Sequence, residues 1–160
     1  MRTVTIESNG RIEKTAIYIN GEQIGGIKEL LIAIDEESNF NAIISFEDNI
    51  GNVHTKQLFT DNLSLLKRKD PTFSMEDSEY LQSFTIESNG HLQETSLFIK
   101  DEFIEGVISI LIHIKVENQD SKTGFLSSIF DKKPKFTNTM FSNEIVFRNP
   151  DGTQSIETIF

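Results

Sequence analysis

The sequence predicts an all-β protein made of two tandem, homologous antiparallel modules, each a small barrel or sandwich-like, related by a pseudo-twofold axis. Three observations predict it: an internal repeat at an offset of 80 residues, alternating apolar and polar runs rich in β-branched residues, and asparagine–glycine turns. The chain has 160 residues, of which 37% are hydrophobic and 13 are Phe. That is enough apolar material for one domain-sized core.

The repeat aligns residues 5–35 with residues 85–115 without a gap. The two segments share 14 identities in 31 positions, including an identical run at 5–10 and 85–90. Two copies are too few for a solenoid, so a pair of modules is favoured. We predict a first β module over 1–60, a partly helical linker over 61–81 and a second β module over 82–160.

The second copy resolves an ambiguity in the first. Residues 27–34 fit either a short helix or a strand, whereas their counterpart at 107–116 alternates strictly and is rich in β-branched residues. We therefore predict strands in both copies. Leu30, Ile32 and Ile34 then face the core of the first.

Turn residues predict the hairpins that surround these strands. A three-residue loop at 8–10, repeated at 88–90, would place Glu7 opposite Arg11. The asparagine–glycine pair at 20–21 predicts a two-residue turn.

Each module is expected to close with a hairpin, over 42–59 and 144–160, which makes it a five-stranded meander. Aligning these closing hairpins requires an offset of 101, so the second module carries about 21 extra residues, a helical or loop insertion at about 119–141. Within the linker, residues 60–69 read as a short capped helix and 74–81 as another helical turn.

Motifs for catalysis are weak throughout. The chain has no Cys, its three His lack metal-ligand spacing, and neither a phosphate loop nor a nucleophile elbow is present. We predict no catalytic residue, no metal site and no cofactor, and hence not an enzyme.

The charge balance narrows the choice of partner. With 25 acidic and 15 basic residues the formal net charge is −10, which argues against direct nucleic-acid binding. No apolar run is long enough for a membrane span, and no signal peptide is evident, so a cytoplasmic location is expected. The Ile- and Asn-rich composition without Trp or Cys fits an AT-rich bacterial or phage genome.

The insertion supplies the first candidate site, because a duplicated scaffold does not need it to fold. It combines aromatic and basic residues, the usual components of interface hot spots. An alternative interpretation is that the insertion covers the seam between the modules. The candidate partner-binding residues are Phe125, Phe130, Lys132, Lys133, Lys135 and Phe136.

Acidic strand ends supply an alternative surface. These residues lack the spacing of a calcium loop, so solvated strand ends are favoured over a cation site. The repeated run at 7–10 is likewise better explained by turn geometry than by a paired site. The acidic residues are Asp35, Glu36, Glu37, Glu47 and Asp48.

The function that fits these features is a non-catalytic acidic binding protein. It would inhibit or adapt another protein, as immunity, antitoxin or phage anti-defence proteins do, by occupying a basic surface that binds nucleic acid. One alternative is a small-molecule binder with its ligand at the seam between modules. Another is a structural or virion assembly protein, in which edge strands mediate packing and a homo-oligomer is expected.

Overall fold

The computed structural model describes residues 1–116 and 139–160, and in them the chain forms two antiparallel β-sheets. Strands dominate because the apolar residues alternate along most of the described sequence. In chain order the strands are β1 (Arg2–Ser8), β2 (Thr15–Ile19), β3 (Glu22–Gly25), β4 (Ile27–Asp35), β5 (Phe40–Glu47), β6 (Val53–Gln57), β7 (Lys67–Arg68), β8 (Gln82–Ser88), β9 (Ser96–Ile99), β10 (Glu102–Phe103), β11 (Val107–Lys115), β12 (Met140–Arg148) and β13 (Gln154–Glu157).

Both halves of the chain contribute to both sheets. The first sheet has the order β10-β9-β8-β1-β2-β3-β7, and the second has the order β13-β12-β11-β4-β5-β6. Neither sheet closes on itself, so the small-barrel alternative does not describe the molecule. The five-stranded meander expected for each half is also not found, because the chain passes from one sheet to the other between β3 and β4 and between β10 and β11.

The two halves meet at residues that are 80 positions apart in the sequence. In the first sheet β1 pairs with β8 so that Thr5 lies opposite Thr85, and their hydroxyl oxygens are 2.9 Å apart. In the second sheet β4 pairs with β11 so that Ile32 lies opposite Ile112. Each sheet is therefore continuous across the two halves.

One hydrophobic core lies between the sheets. The strand predicted over 27–34 is confirmed, and its residues Leu30, Ile32 and Ile34 are buried as expected. Their counterparts on β11, Ile110, Ile112 and Ile114, are buried in the same cluster. The first sheet contributes Val4, Ile6, Ile17, Ile19, Ile24, Phe84 and Ile86.

The hairpin predicted at 8–10 has the wrong register. Glu7 lies opposite Ala16 rather than Arg11, because a 3₁₀ turn at Ile12–Lys14 lengthens the connection before β2 begins. The turn at 20–21 is correct, and both of its residues have positive φ angles, 51° and 82°. Its counterpart at 100–101 has the same left-handed backbone, although neither residue is Gly.

Glycine marks the corner where the chain changes sheets. Gly26 and Gly106 have φ angles of 73° and 74° and connect the strands of the first sheet to those of the second. The carbonyl of Gly26 accepts a hydrogen bond from the Glu47 amide, and that of Gly106 accepts one from Arg148, each at 2.8 Å. The corner has the same backbone geometry in both halves.

The segment between the halves differs from its prediction over 60–69. No helix is found there; a turn leads into β7, which pairs with β3 at the edge of the first sheet. A helix, α1 (Met75–Glu79), follows, and Ser74 caps it in a capping box with Asp77.

Most of the predicted insertion at 119–141 lies outside the described residues, since the chain is described again only from residue 139. Phe141, placed near the end of that insertion, belongs to β12. Its ring packs edge-to-face against Phe160 at 6.0 Å between ring centroids.

Candidate functional site: an uncovered face and edge of the first sheet

A row of paired residues crosses the outer face of the first sheet. Because Val4, Ile6, Phe84 and Ile86 point into the core, the alternate residues point outward. The register places the outward residues in one line, in the order Phe103, Phe98, Thr85, Thr5, Tyr18 and Gln23. The first three come from the second half of the chain and the last three from the first half.

The first-half end of this row is covered by the segment after β7. The Gln23 amide nitrogen donates to the Thr72 hydroxyl at 2.7 Å, and the Thr72 backbone N–H donates to the Gln23 side-chain oxygen at 2.8 Å. Gln23 is consequently only 6% exposed. Further along, the Ser78 hydroxyl donates to the Glu7 carboxylate at 3.1 Å, so the segment crosses this half of the face from the edge to the centre.

The second-half end of the row is not covered by any other segment of the described residues. Phe103 is the repeat counterpart of Gln23 and is 57% exposed, and Phe98 is the counterpart of Tyr18 and is partly exposed. Their rings are in T-shaped contact, with centroids 5.8 Å apart. An aromatic pair therefore meets solvent at the position where the first half is covered by its own chain.

The sheet edge shows the same asymmetry. In the first half β7 pairs with β3, the Lys69 amide donates to the Gln23 carbonyl at 3.0 Å, and Arg68 forms an ion pair with Glu22 at 3.0 Å. In the second half β10 is the last strand of the sheet in the described part of the chain. Glu102, the counterpart of Glu22, is exposed there without an ion-pair partner among the described residues.

An apolar cavity of about 290 Å³ opens beside this edge. Phe103 and Ile104 line it from β10 and the residue after it, and Ile34 of the first half closes its far side. A matching cavity of about 250 Å³ in the first half is lined by Lys69 of the covering segment as well as by Ile24. The uncovered edge thus has an apolar depression next to it.

A larger cleft of about 550 Å³ lies between β3 and the loop at 60–66. Its two cationic side chains already have partners in the chain. The Arg2 guanidinium donates to the backbone carbonyls of Leu58 and Asp61, and Arg68 pairs with Glu22. We therefore interpret this cleft as the space left where the loop at 60–66 packs against β3.

The six aromatic and basic residues predicted to bind a partner lie outside the described residues. Their role therefore stays a prediction for all six: Phe125, Phe130, Lys132, Lys133, Lys135 and Phe136.

The structure does not bring the acidic candidates together. Asp35, Glu36 and Glu37 lie at the turn before β5, and Glu47 and Asp48 lie at the opposite end of the same eight-residue strand. At about 3.3 Å per residue the two groups are more than 20 Å apart. They cannot form a single carboxylate site.

The first acidic group is held by local contacts. The Asp35 carboxylate accepts hydrogen bonds from the Asn39 side chain at 2.7 Å and from the backbone amides of Glu37 and Asn39. The Asn39 side chain, followed by the two amides, lowers the pKa of Asp35 despite some desolvation. Glu36 forms an ion pair with Arg148 at 2.6 Å.

The second acidic group is held in the same way. Asp48 is buried and accepts from His54 at 2.8 Å and from the backbone amides of Ile50 and Asn52, which fixes the turn between β5 and β6. The hydrogen bond from His54, together with these amides, lowers the pKa of Asp48 against the effect of desolvation. Glu47 pairs with Lys28 at 3.3 Å.

Local structure also accounts for the repeated run at 7–10 and 87–90. The buried Ser8 hydroxyl accepts from the Gly10 amide at 3.0 Å and contacts Thr15 at 2.7 Å. In the second copy Ser88 makes the same contacts with the Gly90 amide and Thr95, at 3.0 Å and 2.8 Å. The run therefore preserves a turn.

Within residues 1–116 and 139–160 no three His, Asp or Glu side chains are grouped closely enough to hold a metal ion. Over the same residues no helix is long and apolar enough to cross a membrane. No protein-family model, curated protein or solved structure matches the chain.

Sequence reasoning missed the uncovered face and edge. A signal was present, because the repeat replaces Gln23 by Phe103, a polar residue by a large apolar one. Its meaning depends on which face of the sheet the residue occupies and on what covers that face in the first half. Neither can be read from the strand pattern alone.

Proposed function

We propose that this protein is a non-catalytic acidic binding protein that acts as an inhibitor or adaptor of another protein. The observation that carries the proposal is the exposed aromatic pair of Phe98 and Phe103, at a position that the chain itself covers in its other half. Exposed aromatic rings beside an apolar depression are typical anchors of protein interfaces.

We further infer that the chain arose from two copies of one module related by a pseudo-twofold axis. The pairing of Thr5 with Thr85 and of Ile32 with Ile112 supports this, because residues 80 positions apart meet in both sheets. The segment after β7 has one copy and covers one half only. Within residues 1–116 and 139–160 nothing covers the equivalent surface of the other half, and we propose that the partner binds there.

Charge favours a basic partner. The net charge is −10, and Asp101, Glu102 and Glu105 are exposed around the aromatic pair. Such a field accelerates association with a positively charged protein surface. A nucleic-acid-binding protein of a bacterial cell or phage-infected host fits this description, in a role of the immunity, antitoxin or anti-defence type.

The test is native mass spectrometry of the chain purified gently from its source. We expect a second protein to co-purify with the wild type and to dissociate as salt rises, because exposed charges are screened over about 8 Å at physiological ionic strength. Phe103→Ser should release it. Ile156→Ser, which changes another exposed apolar residue on the edge strand β13, should not. A free monomer, or a partner retained equally by both variants, would contradict the proposal.

A small-molecule function is the second candidate. The cavity of about 290 Å³ favours it, since Ile34 of one half and Leu97 and Val107 of the other half line it together. Cavities at such boundaries are common ligand sites. In the same measurement this function would appear as a retained small mass, and a structural assembly role would appear as a homo-oligomer.

A further inference from the structure

We propose that the partner binds as an extended basic segment that adds a strand to β10, as β7 does to β3. This inference rests on the proposed function and names the chemistry of the partner. Within the described residues β10 is an edge strand, whereas its repeat counterpart β3 is paired with β7. The edges formed by β6 and β13 are repeat counterparts of each other, and neither pairs with a further strand among the described residues, so they give no such indication.

The backbone of β10 presents the groups that strand addition needs. The Ile104 amide donates to the Leu97 carbonyl at 2.9 Å, toward β9. Because successive residues of a strand alternate in direction, the amide and carbonyl of Phe103 point away from β9. In the first half the equivalent carbonyl, that of Gln23, accepts from Lys69. The same acceptor on Phe103 has no partner in the part of the chain that the structure describes.

The charges indicate the composition of the added strand. The segment that pairs with β3 reads Lys67, Arg68 and Lys69, and Arg68 reaches Glu22. Glu102 repeats Glu22, so a cation in the added strand would find the same carboxylate. A second copy of this chain is a poorer occupant, because pairing two β10 edges would bring Glu102 and its equivalent close together.

We expect the aromatic pair of Phe98 and Phe103 to add to the affinity that backbone hydrogen bonds give the partner strand. In the first half, Thr72 of the covering segment binds Gln23 across the outer face after β7 ends. A partner that follows the same path would meet Phe98 and Phe103 in place of Tyr18 and Gln23. It should therefore place an apolar side chain there, next to its basic residues.

The experiment uses the full chain, isotope-labelled, and a capped ten-residue peptide that alternates lysine and valine. In an NMR titration we expect amide shifts concentrated at residues 98–105 and cross-strand contacts between the peptide and residue 103. A peptide of the same sequence with all central amides N-methylated keeps its side chains but cannot form a ladder. It should bind at least about tenfold more weakly, since two or more backbone hydrogen bonds are lost.

Charge variants test the second part of the inference. Glu102→Lys should weaken the lysine–valine peptide about three- to tenfold and strengthen a glutamate–valine peptide, as expected for reversing one exposed ion pair. Glu157→Lys, the same change on the edge strand β13, is the matched control and should leave both peptides unaffected.

Three results would overturn the inference: equal binding of the N-methylated peptide, shifts located at another edge, or shifts at residues 98–105 that depend on protein concentration, which would indicate a second copy. A natural partner that still requires Phe103 would leave the proposed function standing in each case. Absence of any such partner would instead refute the proposed function.

Discussion

The substitution Gly26→Ala tests whether the sheet-changing corner needs glycine. A Cβ atom added at this position would lie 2.7 Å from the backbone carbonyl oxygen of Glu47, closer than real Cβ atoms come. The φ angle of 73° is also unfavourable for any residue with a side chain. Gly21 provides a matched control, because its φ angle is 82° but a Cβ there would meet nothing within 4 Å.

Comparing Gly26 with Gly21 separates the cost of a left-handed backbone from the cost of the close contact. A left-handed alanine costs about 1–2 kcal/mol, and the smaller entropy of its unfolded chain offsets about 0.4–1 kcal/mol. Gly21→Ala should therefore lower the free energy of unfolding by about 1 kcal/mol. At Gly26 the backbone must also move away from the new methyl group, and overpacking of this kind costs about 1–3 kcal/mol more. We expect about 2–4 kcal/mol in total.

Urea denaturation and thermal unfolding, each followed by far-ultraviolet circular dichroism, measure the two losses of unfolding free energy. For a chain of this size Tm should fall by about 2–4 °C for Gly21→Ala and about 5–15 °C for Gly26→Ala, with an unchanged denaturant slope. Gly106→Ala should lie between them, since its Cβ would be 3.2 Å from the Arg148 carbonyl oxygen. Equal losses at Gly26 and Gly21 would refute the close approach at the corner.

Three further predictions concern the turns and the insertion. Ser8→Ala and Ser88→Ala should each lower the free energy of unfolding by about 1–3 kcal/mol, since each leaves a part-buried glycine amide without its acceptor and a threonine hydroxyl without its donor; unequal urea midpoints would argue against equivalent turns. The lowered pKa of Asp48 means that its contribution is present above the unfolded-state value, near 3.8, and is lost as pH falls through the folded value. Asp48→Asn should therefore destabilise at neutral pH and match the wild type in acid, and urea midpoints that differ by the same amount at all pH values would contradict this. Replacing residues 119–138 with a short glycine–serine linker should leave a cooperative β protein by circular dichroism, because closure entropy changes slowly with loop length. Partner binding should fall, because the replacement removes the six aromatic and basic residues predicted to bind a partner. Unfolding of this variant would place the insertion in the core.

Much of the fold could be predicted from alternation along the strands. β4 and β11 were identified because two copies of one pattern can be compared, and the buried positions followed from the period of two. The register of the first hairpin could not be predicted, because the 3₁₀ turn at Ile12–Lys14 adds residues without a distinctive sequence signal. The passage of the chain from one sheet to the other at Gly26 could not be predicted either, since a glycine is compatible with many turns.

Tertiary pairing explains why the helix predicted over 60–69 does not form. The local sequence favours a capped helix, but residues 67 and 68 gain backbone hydrogen bonds at the open edge of β3, and edge pairing overrides local propensity. The candidate site depends on the same pairing. The face around Phe103 is recognisable as uncovered only by comparison with the half that β7 and its following segment protect.

The contacts between β1 and β8, and between β4 and β11, have a consequence for how the chain folds. These central strands join residues about 80 positions apart, such as Thr5 with Thr85, so neither sheet is complete until both halves have been synthesised. Folding must wait for closure of long loops, and a high contact order of this kind gives slow folding, on the scale of milliseconds to seconds. During that interval each half exposes a central strand whose natural complement is its own repeat. A neighbouring nascent chain offers that same complement, so the sequence repeat that completes the sheets also makes exchange of halves between two molecules a route of misfolding.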